Sequence, residues 1–159
     1  MELRISVLHS ECQVLFLGTK DGDPIGFDAI ASVTKELGLP LNVCSTQIVD
    51  TPCLHEIYTN LRPLSGVSCR PRLLIAGSYL EEQITICALH GLYVGFEVFL
   101  LKDFISPKNA NHTTVYDTRL VQAGVVPTTL RQLLYEWMSG EDLTERREKM
   151  MQLLLAVEK

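Results

Sequence analysis

The sequence has no long apolar run and no surplus of basic residues, and each absence excludes a class of protein. The apolar stretches at 73–76 and 98–101 are far shorter than the roughly 20 residues that a membrane-spanning helix requires. Fourteen Lys and Arg against nineteen Asp and Glu give a formal net charge of −5. Such a chain does not attract a phosphate backbone outside a local patch. We therefore expect no membrane partner and no nucleic-acid partner.

Paired cysteines and a secretory leader are also missing. The number of cysteines is odd, none forms a C-x-x-C pair, and their spacing is irregular; they are Cys12, Cys44, Cys53, Cys69 and Cys87. This use of cysteine argues against a disulfide framework and indicates a reducing compartment. Because Glu2 and Glu11 flank the short apolar run near the start, that run does not resemble a secretory signal. We predict a cytoplasmic protein.

What the chain does have is the composition of one ordinary globular domain. Of its 159 residues, 47% are hydrophobic and 21% are charged, which is close to the average of folded domains. Short apolar runs alternate with segments of helical period, as in a parallel sheet covered by helices. We predict an α/β fold in a single domain over residues 1–159. Its strands are expected at 14–17, 41–44, 72–76, 96–101 and 125–126.

Helices are predicted between these strands from apolar residues three and four positions apart. The first carries Ile30, Val33 and Leu37 on one face and stops at Gly38. The others are expected near 52–61, 80–95, 112–123 and 128–139, with a C-terminal amphipathic helix over 141–159. The apolar stripe of that last helix, at 143–157, fits either a seam between two copies or packing onto its own sheet.

In an open parallel sheet, ligands bind outside the carboxyl ends of the strands. This rule selects the loops at 18–23, 45–50, 77–83 and 103–108. Neither phosphate-binding fingerprint, G-x-x-x-x-G-K-[ST] or G-x-G-x-x-G, follows any predicted strand. The helix after Gly77 is expected to begin with free backbone N–H groups, which favour an anion or an oxyanion. We predict no cofactor.

Several motifs occur in an order that is fairly specific. The stretch RLLIAGSYLEEQITICALHGLYVGFEVFLLKDF contains an apolar strand, a glycine turn, a helix, Gly95-Phe96, another strand and Asp103. VLFLGT at 14–19, LRPLSGVSC at 61–69 and GVVPTTLRQLL at 124–134 provide a first strand, a middle segment and a late strand with its helix.

Over about residues 12–140, these motifs resemble the isochorismatase-like cysteine hydrolase superfamily. The subgroup that they resemble most is the isochorismatase-domain proteins sometimes labelled ribonucleases. The resemblance implies a three-layer α/β/α fold with a mainly parallel, Rossmann-like sheet.

The resemblance also implies where a catalytic site would lie. Family members use an Asp after the first strand, a Lys in the middle segment and a Cys at the helix after the third strand, where its thiolate is the nucleophile. Carried over position by position, these fall on Thr19, Gly66 and Gln83. A hydroxyl, a hydrogen atom and a carboxamide supply neither a thiolate nor a base near neutral pH. We therefore predict a pseudoenzyme.

Relocated catalytic groups, in a divergent hydrolase, are the alternative. Cys87 follows Gln83 by one helical turn, about 6 Å further toward the core, so a buried and inert thiol is the better interpretation. Cys53 and His55 would be the nucleophile and the base, although residues two apart on a helix point in different directions.

Acidic and imidazole side chains offer a further variant of this alternative. Three carboxylates near the predicted site could replace the family Asp or hold a cation: Asp21, Asp23 and Asp50. Some relatives hold a metal with an Asp and two His, but the four histidines show no metal-like spacing; they are His9, His55, His90 and His112. We predict no metal site.

The leading hypothesis is a catalytically silent protein that binds a polar small molecule or acts as an oligomeric scaffold. The expected pocket is neutral and hydrogen-bonding, and it is lined by Thr19, Gln47, Tyr79 and Gln83. Because relatives commonly assemble as dimers or larger oligomers, we also predict a homo-oligomer. Ribonuclease activity follows only from the label on some relatives, and the acidic balance and missing basic, aromatic-rich stripe disfavour it.

Overall fold

Five parallel strands form the centre of the molecule. The computed structural model describes residues 12–18, 24–45, 50–61, 71–140 and 144–157. Within them the sheet has the order β2-β1-β3-β4-β5, and all neighbouring strands run parallel. The strands are β1 (Cys12–Leu17), β2 (Leu41–Cys44), β3 (Arg72–Ser78), β4 (Glu97–Ser106) and β5 (Val126–Thr128). The predicted α/β fold with a parallel sheet is confirmed.

Helices cover both faces of this sheet. They are α1 (Pro24–Leu37), α2 (Thr51–Asn60), α3 (Thr85–Tyr93), α4 (Thr113–Ala123), α5 (Leu130–Ser139) and α6 (Thr144–Val157). Side chains of α1, α5 and α6 pack on one face, and those of α2, α3 and α4 pack on the other. A π-helical turn, Leu80–Ile84, leads into α3, and a 3-10 turn, Ala110–His112, leads into α4. These three layers agree with the fold that the resemblance implies.

The alternation of side chains along the strands divides the core in two. In β1, Val14 and Phe16 belong to the cluster with α1, α5 and α6, whereas Leu15 and Leu17 belong to the cluster with α2, α3 and α4. All four side chains are almost completely buried. A strand covered on both faces has no solvent side, which is why residues 14–17 of β1 are continuously apolar.

Strand β4 is longer than the sequence predicts because part of it bulges. It advances from Leu100 to Ile105 while β3 advances only from Ile75 to Gly77. The bulge holds Asp103, whose carboxylate accepts a hydrogen bond from the backbone N–H of Leu130 at 3.2 Å. Partial burial raises the pKa of this carboxyl, and the N–H of Leu130 opposes that shift. Asp103 therefore lies inside a strand and holds the beginning of α5, whereas the sequence predicts it in a loop.

The apolar stripe of α6 packs within the chain. Met150 and Leu154 are buried in the cluster with α1 and α5, while Met151 and Leu155 are exposed. Leu143 lies outside the described residues. Of the two interpretations of the stripe, packing onto its own sheet accounts for Met150 and Leu154. Association of copies through other surfaces stays a prediction.

Candidate functional site

A cavity of about 340 Å³ lies at the carboxyl ends of β1, β2 and β3. We call it the edge pocket. Its described lining residues are Leu17, Gly18, Cys44, Ser45, Ser78, Tyr79, Glu82, Gln83 and Lys108. This is the location that the topology of an open parallel sheet favours for a ligand, because loops from several strands converge there. The pocket is therefore the candidate functional site.

Glycine lets β1 and β3 approach closely beside the edge pocket. Gly77 has φ +122°, and a Cβ added there would lie 1.9 Å from the carbonyl oxygen of Leu17. Any larger residue would require the backbone of β1 to move. Beside it, the Ser78 hydroxyl donates a hydrogen bond to the same carbonyl at 3.3 Å, and the N–H of Gly18 donates to Cys44 O at 2.8 Å. These contacts fix three strand ends around the cavity.

The backbone is strained where β3 ends. Tyr79 has φ 65° and ψ 90°, a left-handed conformation that costs an ordinary residue about 1–3 kcal/mol. Its N–H donates to Ser106 O at 3.0 Å, and its carbonyl accepts from the N–H groups of Glu82 and Ile84 at 3.3 and 3.2 Å. The π-helical turn follows at once. Strained residues and π-turns both occur preferentially at functional sites.

These hydrogen bonds correct one expectation. The sequence predicts that the helix after Gly77 begins with free backbone N–H groups that would hold an anion. In the structure, the N–H groups of Glu82 and Ile84 already donate to the carbonyl of Tyr79. The π-helical turn therefore satisfies part of its own N-terminus, and these two N–H groups are not available to an anion in the pocket.

Two of the four predicted pocket residues line the edge pocket. The Tyr79 side chain is exposed and the Gln83 side chain is partly buried, and both belong to the pocket wall. Gln83 occupies the position that the resemblance assigns to the family cysteine. Thr19, Gln47 and Gly66 lie outside the described residues. Ligand binding by any of these residues stays a prediction.

A charged group that the sequence does not single out also lines the pocket. The Lys108 ammonium lies 2.7 Å from Glu82 Oε1 and 5.8 Å from the centre of the Tyr79 ring. Glu82 raises the pKa of Lys108, and Tyr79 and Glu81 add to that shift. Only the segment 103–108 as a whole could be predicted, since the bulge in β4 decides which of its residues reaches the pocket.

A neighbouring carboxylate fixes the loop that carries this lysine. Glu81 accepts hydrogen bonds from the backbone N–H groups of Lys108 and Asn109, at 2.7 and 2.9 Å. Burial acts to raise the pKa of Glu81, but these N–H groups outweigh it and lower the pKa overall. The loop is therefore held at the pocket by its backbone, independently of the lysine side chain.

Among the described residues that line the edge pocket, Cys44 is the only one with a thiol. Cys87, which the sequence predicts to be inert, is fully buried. Burial raises the pKa of its thiol to about 12, with a smaller contribution from Cys44 and an opposing one from Tyr58. The Cys87 thiol lies 3.6 Å from the Tyr58 hydroxyl, which donates to the Cys87 carbonyl. This arrangement does not favour a nucleophile.

The alternative pair Cys53 and His55 lies away from the edge pocket. Cys53 lines a second cavity of about 420 Å³, between β2 and α2, and the His55 side chain is exposed. Asp50 accepts a hydrogen bond from the Cys53 N–H at 2.9 Å and so caps α2. The Cys53 side chain, and after it this N–H, lower the pKa of Asp50 by hydrogen bonding. Asp21 and Asp23 lie outside the described residues.

The described residues contain no group of three or more His, Cys, Asp or Glu side chains that could hold a metal ion. Among the helices that the structure describes, none has the length and apolarity needed to cross a membrane.

Solved structures show the same architecture. E. coli YcaC, described as an octameric hydrolase of unknown specificity, has a TM-score of 0.68 at 17% identity over 96% of this chain and 91% of its own. The MAR1 ribonuclease of Caenorhabditis elegans has a TM-score of 0.69 at 11% identity over 94% of this chain and 92% of its own. The pyrazinamidase of Pyrococcus horikoshii, solved with zinc, gives 0.51 at 15% identity over 76% of this chain and 99% of its own.

By sequence, no family model and no curated protein matches, so the likeness is one of structure. At these identities it defines the fold. The chain has the isochorismatase-like hydrolase fold that YcaC, MAR1 and pyrazinamidase share, as its sequence motifs predict.

Proposed function

We propose that this protein binds a small polar molecule in the edge pocket without transforming it. The observation that carries the proposal is that Gln83 lines the pocket at the position that the resemblance assigns to the nucleophilic cysteine. A carboxamide donates and accepts hydrogen bonds but forms no covalent intermediate under neutral conditions. A pocket of about 340 Å³ lies at the small end of the range for ligand sites, which favours a compact ligand.

The test is an assay of the purified chain against small amides, esters and vinyl ethers. We expect no turnover above the rate without protein, while ligand binding remains measurable. The matched variant is Gln83→Ala, which removes the carboxamide from the wall and should weaken binding. Turnover that disappears in a thiol-free variant would contradict the proposal.

A divergent hydrolase is the second candidate, and one observation favours it. The Cys44 side chain lines the same cavity as Lys108 and Glu82, so a thiol, a cation and a carboxylate share one pocket. Cys53 and His55, the pair suggested by the sequence, do not share it. In this version Cys44 would be the relocated nucleophile.

Thiol reactivity distinguishes the two candidates. Brief treatment with iodoacetamide, followed by mass spectrometry, gives the labelling rate of each cysteine. A Cys44 that reacts far faster than the comparably placed Cys53, together with activity lost in Cys44→Ser, would support the hydrolase. Similar, slow rates at both positions favour the silent binding protein.

Self-association is a separate part of the proposal. Support comes from exposed apolar side chains on α3 and α4, two helices that contact each other; they include Tyr93, 86% exposed, and Val115, 67% exposed. Sedimentation velocity should show a dimer or larger species that Val115→Glu weakens. A monomer at concentrations of tens of micromolar would contradict it. Deleting α6 is not a usable test, because Met150 and Leu154 belong to the core.

A further inference from the structure

We propose that Lys108 selects a small carboxylate ligand in the edge pocket, and that Glu82 competes with this ligand for the lysine ammonium. The inference rests on the proposed ligand-binding function and adds the chemical class of the ligand. Among the described residues that line the pocket, Lys108 is the only cation and Glu82 the only anion. The remaining lining groups are apolar or neutral and hydrogen-bonding.

The contacts of the ammonium are suited to exchange. Its ion pair with Glu82 is short, at 2.7 Å, but the two side chains are 60% and 39% exposed. Ion pairs with this much exposure contribute little to stability, because water screens them and both side chains lose conformational freedom. A ligand carboxylate can therefore replace Glu82 at small cost, and the Tyr79 ring, 5.8 Å from the ammonium, remains as a second contact for the cation.

The loop places the lysine at the pocket without help from this ion pair. The Glu81 carboxylate accepts hydrogen bonds from the backbone N–H groups of Lys108 and Asn109. The carbonyl of Ser106 accepts one from the N–H of Tyr79. Removing the Glu82 carboxylate therefore releases the ammonium while leaving the loop in position. Glu81 and Glu82 are adjacent acids with different tasks, one bound to the backbone and the other to the lysine side chain.

The ligand class follows from these groups together. A carboxylate on the ligand can pair with the Lys108 ammonium. Other polar atoms of the ligand, next to that carboxylate, can form hydrogen bonds with Ser45, Ser78 and Gln83. The volume of about 340 Å³ admits a compact molecule. A neutral ligand would make the same hydrogen bonds but would gain nothing from Lys108.

Benzoate and benzamide are a suitable pair of probes, because they have nearly the same shape and differ by one charge. Binding is followed through backbone amide shifts in two-dimensional NMR of the full chain, and the same spectra reveal any conversion of benzamide to benzoate. We expect benzoate to bind more tightly than benzamide, with an affinity that falls as salt is added.

Three variants isolate the two charged groups. Lys108→Met should weaken benzoate about two- to fivefold, as expected for an ion pair with this much exposure, while Lys108→Arg should retain most of the affinity, since it keeps the charge. Glu82→Gln should strengthen benzoate about two- to fivefold by removing the competitor. None of the three should change the affinity for benzamide appreciably.

The outcomes separate the inference from the function on which it rests. Equal binding of the two probes, or benzoate affinity unchanged in Lys108→Met, overturns the role of Lys108 and leaves a binding pocket. Conversion of benzamide overturns the proposal of a silent protein and leaves the selectivity for charge intact. Binding of neither probe at millimolar concentration counts against both.

Discussion

The two faces of the sheet differ in what they bury. On the face covered by α1, α5 and α6, the cluster consists mostly of hydrocarbon side chains around Phe16 and Trp137, and Cys12 is the one thiol among its described residues. The face covered by α2, α3 and α4 also buries Leu and Ile, but Cys44, Cys53, Cys87 and Tyr58 belong to it as well. We call the first the packing face and the second the thiol face.

Two cavities lie beside the thiol face. Cys44 lines both the edge pocket and the cavity beside α2, so both of these spaces adjoin the thiol face. A cavity inside the packing face, next to Trp137, has a volume of only about 10 Å³, too little for anything larger than one water molecule. A ligand-sized space therefore lies beside the thiol face, whereas the side chains around Trp137 enclose almost none, and the following experiments test that difference.

The largest effect is expected from a substitution that creates a cavity in the packing face. Trp137 is 2% exposed and belongs to the buried cluster, and Trp137→Ala should lower the free energy of unfolding by about 3–5 kcal/mol. Urea unfolding is followed by circular dichroism. Tryptophan fluorescence cannot be used, because the variant lacks the single tryptophan of the chain. Tyr135→Ala, which changes an exposed ring on the same helix, is the control and should cost less than about 0.5 kcal/mol. A similar loss in both variants would break the comparison.

The next effect concerns the close contact beside the edge pocket. Gly77→Ala adds a methyl group 1.9 Å from Leu17 O, whereas Gly95→Ala meets nothing within 4 Å, and both glycines have positive φ. Both variants place an alanine in a left-handed conformation, which costs each of them about 1–2 kcal/mol. We therefore expect Gly77→Ala to be more destabilising by at least about 2 kcal/mol in the same urea measurement. Equal losses would show that the β1–β3 contact tolerates a side chain.

A smaller effect, specific to the thiol face, depends on pH. Burial raises the pKa of Cys87 from 9.0 to about 12. The unfolded chain therefore loses this proton first as the pH rises, so the stabilisation is complete below pH 9 and is lost as the pH approaches 12. Stability of the wild-type chain should decline over that window, and the decline should be shallower in Cys87→Ala. Tyr58 acts in the same direction, because burial also raises its pKa.

The control for this experiment is Cys53→Ala, which removes a partly exposed thiol from the same face. It should leave the slope between pH 9 and pH 12 unchanged. If Cys53→Ala and Cys87→Ala flatten the curve equally, the decline does not report the buried thiol.

The smallest effect is expected at the start of α2. Hydrogen bonds from the side chain and the backbone N–H of Cys53 lower the pKa of Asp50, so their contribution to stability is present at neutral pH and is lost as the pH falls through the folded-state pKa. Asp50→Asn keeps a side-chain acceptor for the cap and should be nearly neutral, while Asp50→Ala should be slightly destabilising. Thermal unfolding at pH 7 and pH 3 checks this; a difference between wild type and Asp50→Ala that is larger at pH 3 would contradict it.

Much of the fold could be predicted because its signals are local. The predicted strand at 41–44 coincides with β2, and the helices stop at glycine as expected, with Gly124 in a left-handed conformation after α4. The predicted long helix after Leu80 is instead a π-helical turn followed by α3. The apolar pattern is the same in both forms, since it records which face is buried and not the hydrogen-bond spacing of the first turn.

The site was only partly predictable. Tyr79 and Gln83 follow a strand directly, so the topological rule finds them in the pocket wall. Lys108, Glu82 and Cys44 were not singled out, although each lies within or beside a segment that ends a strand. Their roles depend on the bulge in β4 and on the short contact of Glu82 with a residue 26 positions away, and single-sequence patterns do not encode such distant pairs.

The order of apolar runs, helical segments and turn residues in this sequence determined the class of fold and the edge of the sheet where a ligand would bind, because strand and helix periods and the direction of parallel strands are local or topological properties. The burial of Cys87 also follows from its place one turn into the predicted helix, and only the tertiary structure decided which charged side chain enters that pocket and which thiol shares it. Those outcomes depend on a bulge and a strained residue that bring β3, β4 and their loops together, and such contacts form only when distant segments pack.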